Sequence, residues 1–132
     1  MATDFLCPHC KNLLNVGENI VFSGRTLNGK EGLLFLHPDL GNYTILKHPS
    51  FELEHGEAID LHCPYCSKKL TSDRNANLAK ILMRDEENKD YEIHFSRIVG
   101  QHSTYKIIGE SVEIFGDDAA EYLDFLNNTR IF

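Results

Sequence analysis

The chain has no tryptophan, four prolines and four cysteines among 132 residues. Bases are also few: 13 Lys plus Arg stand against 20 Asp plus Glu, for a formal charge of −7. That deficit argues against a protein whose main work is gripping nucleic-acid phosphates or an anionic membrane. No apolar run approaches the roughly 18 residues of a membrane span. The opening Met1-Ala2-Thr3-Asp4-Phe5-Leu6-Cys7 lacks the basic region and apolar core of a signal peptide, so a cytoplasmic location is expected. Walker, GxGxxG, GxSxG and HExxH motifs are missing as well. With 42% hydrophobic and 25% charged residues, the chain can bury a core at a common single-domain size.

The cysteines fall into two matched pairs, Cys7-Pro8-His9-Cys10 and Cys63-Pro64-Tyr65-Cys66, with none left over. Leu14 and Leu70 each follow the second cysteine of a pair by four residues, and no other repeat is visible. A Cys-x-x-Cys pair puts two sulfurs on one tight turn, and proline suits the first central position of that turn. Two such turns supply four sulfurs, enough to close a tetrahedral zinc site. One Zn²⁺ per chain on Cys7, Cys10, Cys63 and Cys66 is therefore expected, with iron as the lesser choice. Four thiolates and one divalent ion would take the charge from −7 to about −9.

The paired knuckles resemble the zinc-ribbon class, in which each knuckle lies on a β-hairpin and both clasp one zinc. The resemblance implies the four cysteines as ligands and reaches little beyond the knuckles and their neighbouring strands. Ribbons usually separate the pairs by about 15–20 residues, whereas 52 lie between Cys10 and Cys63. Stretching the loop that far costs only about 1 kcal/mol of closure entropy, against roughly 10–16 kcal/mol from a structural zinc. Cys-Pro-His-Cys is also similar to the active site of periplasmic disulfide oxidases, and Cys-Pro-Tyr-Cys to that of glutaredoxins. That likeness implies a thiol-disulfide oxidoreductase. Against it, the six residues before Cys7 are too few for the unit that precedes such a motif, although a strand through Ile59 to Leu61 could lead into Cys63, and no proline follows Pro64 to form the families' downstream cis-proline loop. Rubredoxin iron centres share the two knuckles but place glycine after them, where this chain has Lys11 and Ser67.

Between and after the pairs the pattern is mainly β. Strands are expected over 18–26 and 33–36 around the Asn28-Gly29 turn, with short candidates at 43–46 and 51–53, and Ala58–Leu61 leads straight into the second cysteine pair. Residues 76–84 fit a helical face through Leu78, Ile81 and Leu82, or a strand through Ala79, Ile81 and Met83. Strand is favoured, because the polar 86–90 suits a hairpin loop. Tyr91, Ile93 and Phe95 alternate as a strand, and 105–108 and 112–115 extend the meander. Gly116-Asp117-Asp118 reads as the start of a helix running to Leu126. The expected class is mainly β (α+β): zinc-ribbon-like hairpins, a β-meander and one C-terminal helix. Residues 1–72 form the cysteine part with its long insert, and 73–132 the meander and helix, packed as one unit.

Of the seven histidines, His9 and His62 adjoin the cysteines, while His37, His48 and His55 could build a second metal site but read more simply as solvated loop residues. Lys68, Lys69 and Arg74 form the one compact basic cluster. A closed four-cysteine site has no open coordination position for hydrolysis. The expected function is a non-enzymatic structural zinc protein that acts by binding another protein. A thiol-disulfide oxidoreductase and a nucleic-acid-binding, transcription-related zinc ribbon are the alternatives. The sequence leaves the oligomeric state open.

Overall fold

The computed structural model describes residues 3–118. They form ten strands: β1 Asp4–Leu6, β2 Asn15–Val16, β3 Asn19–Thr26, β4 Glu31–Leu36, β5 Ile45–Lys47, β6 Ile59–His62, β7 Leu78–Arg84, β8 Asp90–Ser96, β9 Thr104–Ile108 and β10 Ser111–Phe115. One sheet runs β1-β7-β8-β9-β10; the other runs β2-β3-β4-β5, with β6 also paired to β3. Every pairing is antiparallel.

The β3–β4 hairpin forms where the sequence signals it. Gly29 takes φ 89° in the turn, and the Thr26 and Lys30 backbones bond across it. The ambiguous segment 76–84 resolves as strand β7. Leu78, Ala79, Ile81 and Met83 are buried there, with Leu82 partly so. Flanked by β1 and β8, β7 is an interior strand with apolar neighbours on both faces, which blurs strict alternation.

The α+β expectation is corrected: the described residues contain no helix, and the architecture is all-β. Gly116–Asp118, expected as a helix start, is a bend and turn. There the Asp118 carboxylate accepts from the His102 amide at 2.9 Å, and the Asp118 amide donates to the His102 carbonyl at 2.9 Å. This acid fastens the end of β10 to the loop before β9. The rest of the expected helix, 119–126, lies outside the described residues. Nor do residues 51–53 form a strand. The Phe51 ring drops onto Gly32, 2.6 Å from where a Cβ would stand, and is buried.

The repeat glimpsed at the knuckles extends through most of the fold. A step of 56 residues carries Cys7 onto Cys63, and a step of 59 carries Arg25 onto Arg84. Under these steps the pairings superpose. Phe22 faces Leu34 as Ile81 faces Ile93, and Arg25 faces Glu31 as Arg84 faces Asp90. Leu36 faces Ile45 as Phe95 faces Thr104. Both Arg–acid pairs are ion pairs. The turns match too: Thr26, Gly29 and Lys30 bond among themselves as Asp85, Asn88 and Lys89 do. Gly41 and Gly100 share a positive φ, 91° and 87°.

The halves are interlocked. β1, which leads into the first knuckle, pairs with β7 beyond the second, and β6, which leads into the second, pairs with β3 beyond the first. Asp4 thereby faces Arg84, and Asp60 faces Arg25. The core draws equally on both: Phe5, Phe22, Leu34, Leu61, Ile81 and Ile93 are buried in one cluster. Each such side chain contributes about 1.5–3 kcal/mol of transfer free energy. Paired residues, Phe22 with Ile81 and Tyr43 with His102 among them, also line a cavity of about 330 Å³.

Candidate metal centre

Each knuckle is built the same way. Cys7 and Cys63 directly follow β1 and β6, which place them in the core, both 0% exposed. The chain then turns through Pro8-His9 and Pro64-Tyr65, and the Lys11 and Ser67 amides close the turns onto the Cys7 and Cys63 carbonyls, each at 2.9 Å. To make that closure Lys11 and Ser67 both adopt φ 63°, a left-handed conformation disfavoured for residues with a Cβ. The chain then folds back, the Cys7 amide reaching the Asn12 carbonyl and the Cys63 amide the Lys68 carbonyl, each at 3.1 Å. Leu14 and Leu70 follow, fully buried, and bond to the Phe5 and Leu61 carbonyls beside the knuckles.

These turns aim amides at sulfur. His9 and Cys10 donate to Cys7 Sγ at 3.3 and 3.5 Å, and Tyr65 donates to Cys63 Sγ at 3.3 Å. Asn12 Nδ2 donates to Cys10 Sγ at 3.5 Å. Burial pushes the Cys7 and Cys63 thiols up, Cys63 to about 12, against the pull of these amides. Cys10 is held down to about 7, chiefly by its hydrogen bond with the Asn12 backbone. Thiolates at the buried positions therefore need a cation beside them.

The four sulfurs lie within 4.8 Å of one another. Cys7 Sγ is 3.7 Å from Cys66 Sγ, and Cys10 Sγ is 3.7 Å from Cys63 Sγ. These contacts cross between the knuckles. They are too long for a disulfide, whose sulfurs stand about 2.05 Å apart. They match a tetrahedron with metal–sulfur bonds of about 2.3 Å, whose edges are about 3.8 Å. The donor set thus fits one four-coordinate metal ion. The 52 residues between the pairs are no open loop: they carry β2 to β6, so folding of the first half brings the knuckles together.

The cysteines are the one group of three or more metal-ligating side chains brought together among the described residues. His9 Nε2 lies 3.3 Å from the Lys69 carbonyl, and His37 Nδ1 accepts from the Asp39 amide at 3.0 Å. His48 Nδ1 bonds to Ser50. His37, His48 and His55 thus build no second site. The basic cluster is partly neutralised: Lys69 pairs with Asp60 at 3.5 Å and Arg74 with Glu92 at 3.3 Å, leaving Lys68 exposed.

Sequence reasoning missed His94. Its ring is fully buried, with Nδ1 at 2.8 Å from Ser72 Oγ and Nε2 at 2.9 Å from Glu92 Oε1. Ser72 Oγ accepts from the Arg74 and Asn75 amides, so its proton goes to Nδ1, and Nε2–H donates to the carboxylate. Burial lowers the His94 pKa. Burial also works against the charge on Glu92, yet the hydrogen bond from His94 and the charges of Lys80 and Arg74 bring its pKa below the usual value. The order Ser–His–Glu is that of a hydrolase triad; here the serine oxygen accepts two backbone amides and is buried. Strand phase puts His94 on the face opposite Tyr91, Ile93 and Phe95, so no sequence signal marked it for burial; its pairing with Tyr105 is a feature of the sheet register.

No helix among the described residues is long and apolar enough to cross a membrane. Comparison with protein-family models, curated proteins and solved structures finds no match for this chain.

Proposed function

We propose that the protein is a structural zinc-binding module, zinc-ribbon-like at its two knuckles, that acts without catalysis by binding another protein. The observation that carries this reading is the crossed four-sulfur cluster, whose two 3.7 Å contacts between the knuckles suit tetrahedral thiolate coordination with no position left for substrate. Zinc is favoured over iron because Lys11 and Ser67 replace the glycines of rubredoxin-type knuckles. The oxidoreductase reading finds less support. The leading cysteines, Cys7 and Cys63, would have to attack a disulfide, yet neither is exposed, and neither knuckle opens a helix. Nucleic-acid binding is disfavoured by the acidic charge and by the pairing of Lys69 and Arg74 with acids.

The test is elemental analysis of protein purified without added metal, with a free-thiol count before and after chelation. One zinc per chain is expected, with thiols slow to alkylate until the metal is removed. Metal-free reduced protein, or rapid glutathione-disulfide turnover abolished by Cys63→Ser, would refute the reading.

A further inference from the structure

The two halves differ at one edge. In the second half the strand β9 is closed by β10, with Lys106 opposite Glu113 and their side chains paired at 3.5 Å. In the first half the matching strand is β5, and among the described residues it ends its sheet with no strand outside it. Pro49 stands where Ile108 continues β9. Having no N–H and a fixed φ, proline ends the strand there. The chain then carries Phe51 over Gly32 and leaves without forming a counterpart of β10.

What the described residues leave uncovered has a definite chemistry. Ile45 is 41% and Leu46 54% exposed, as is Leu33 at 51% on the neighbouring strand. The counterpart of Leu46 is Tyr105, which is fully buried in a cluster that β10 helps cover with Val112. Lys47 occupies the place of Lys106, and its ammonium meets no acid among the described residues.

We propose that the β5 edge receives an extended segment of a partner protein as an added antiparallel strand, with an acidic residue opposite Lys47 and apolar residues on either side of it. The occupant is specified by β10 itself, where Val112, Glu113 and Ile114 supply that apolar–acidic–apolar order to β9. Main-chain hydrogen bonds along the edge give the affinity, and the lysine and apolar contacts give the register. The proposal rests on the protein-binding part of the reading above and is independent of the metal.

The probe is an end-blocked synthetic peptide with the sequence of residues 110–117, titrated into the zinc-loaded full chain and followed by amide NMR shifts and anisotropy. Saturable binding should perturb Ile45–Lys47 and leave Thr104–Ile108 in place. Lys47→Glu should weaken it by about three- to fivefold, as expected for an exposed ion pair. A peptide with lysine at the position of Glu113 should restore it. No binding, binding at β9, or binding indifferent to Lys47→Glu would overturn the proposal. So would a dimer formed through β5, or pairing of β5 with residues 119–132 of the same chain. Zinc content measured on the same samples separates the two readings: a zinc-loaded chain that ignores the peptide refutes the strand site alone.

Discussion

Tyr43 and His102 stack ring on ring, with centroids 4.4 Å apart and planes 3° from parallel, and they hold the same position in the two halves of the chain. Each follows a left-handed glycine, Gly41 or Gly100, and precedes a matched strand, β5 or β9. The internal symmetry thus meets itself in one contact. The Tyr43 hydroxyl adds bonds to Thr104 Oγ1 at 2.9 Å and to the Phe115 carbonyl at 3.2 Å, which ties β5, β9 and β10 together.

A double-mutant cycle should measure that contact. Tyr43→Ala and His102→Ala are expected to couple by about 0.5–1.5 kcal/mol in denaturant unfolding. Tyr43→Phe should keep the stack and lose about 0.5–1.5 kcal/mol per hydroxyl bond. Additive single mutants would show that the rings meet without interacting.

Metal loss should affect both sheets together. Because β1 and β6 each sit in the opposite half's sheet, the site holds the strands that interlock the halves. Structural zinc contributes on the order of 10 kcal/mol, comparable to the whole net stability of a domain, about 5–15 kcal/mol. Cys7→Ser and Cys63→Ser are therefore expected to raise amide exchange in β3 and in β7 alike. Loosening confined to the half that carries the substitution would contradict the interlocked arrangement.

The left-handed residues after the knuckles offer a gain. At φ 63° a non-glycine residue carries a steric cost. Ser67 is exposed, and its side chain makes no bond that the turn needs. Ser67→Gly should stabilise the zinc-loaded protein by about 0.5–1 kcal/mol, whereas Ser67→Val should destabilise it. Thermal melts of the two variants decide the matter; equal melting points would remove the strain argument.

His94 predicts a pH dependence with a definite sign. Its folded pKa lies below the ordinary 6.5 because it is buried, so the unfolded chain binds the proton first. Its contribution to stability is complete above about pH 6.5 and is lost as pH falls through the folded value. Urea unfolding between pH 5 and 8 should show stability declining on the acid side, and His94→Leu should flatten the part of that slope due to this ring. An unchanged slope in the variant would mean that folding does not lower the proton affinity of His94.

The site was legible because its chemistry is local: two sulfurs per knuckle, a proline to set the turn and nothing left over. Most strands were legible for a similar reason, since Asn28-Gly29 marks a turn and Tyr91, Ile93 and Phe95 alternate. The duplication was not. Its halves agree in pairing register and turn hydrogen bonds, which depend on backbone geometry. Opposed positions such as Phe22 and Ile81, or Gly32 and Tyr91, share no side chain. Identity survives mainly where geometry demands it, at Gly41 and Gly100, or where charge pairs recur, at Arg25 and Arg84. At the acidic Gly116–Asp118 turn the sequence offers an aspartate but not its partner, because the His102 amide that Asp118 binds is set by tertiary structure.

The most direct test of the central claim is X-ray absorption at the metal edge of protein loaded with one equivalent of zinc. Coordination by Cys7, Cys10, Cys63 and Cys66 predicts a single shell of four sulfurs at about 2.3 Å. A shell containing nitrogen or oxygen, or one with only two sulfurs, would contradict the four-cysteine site.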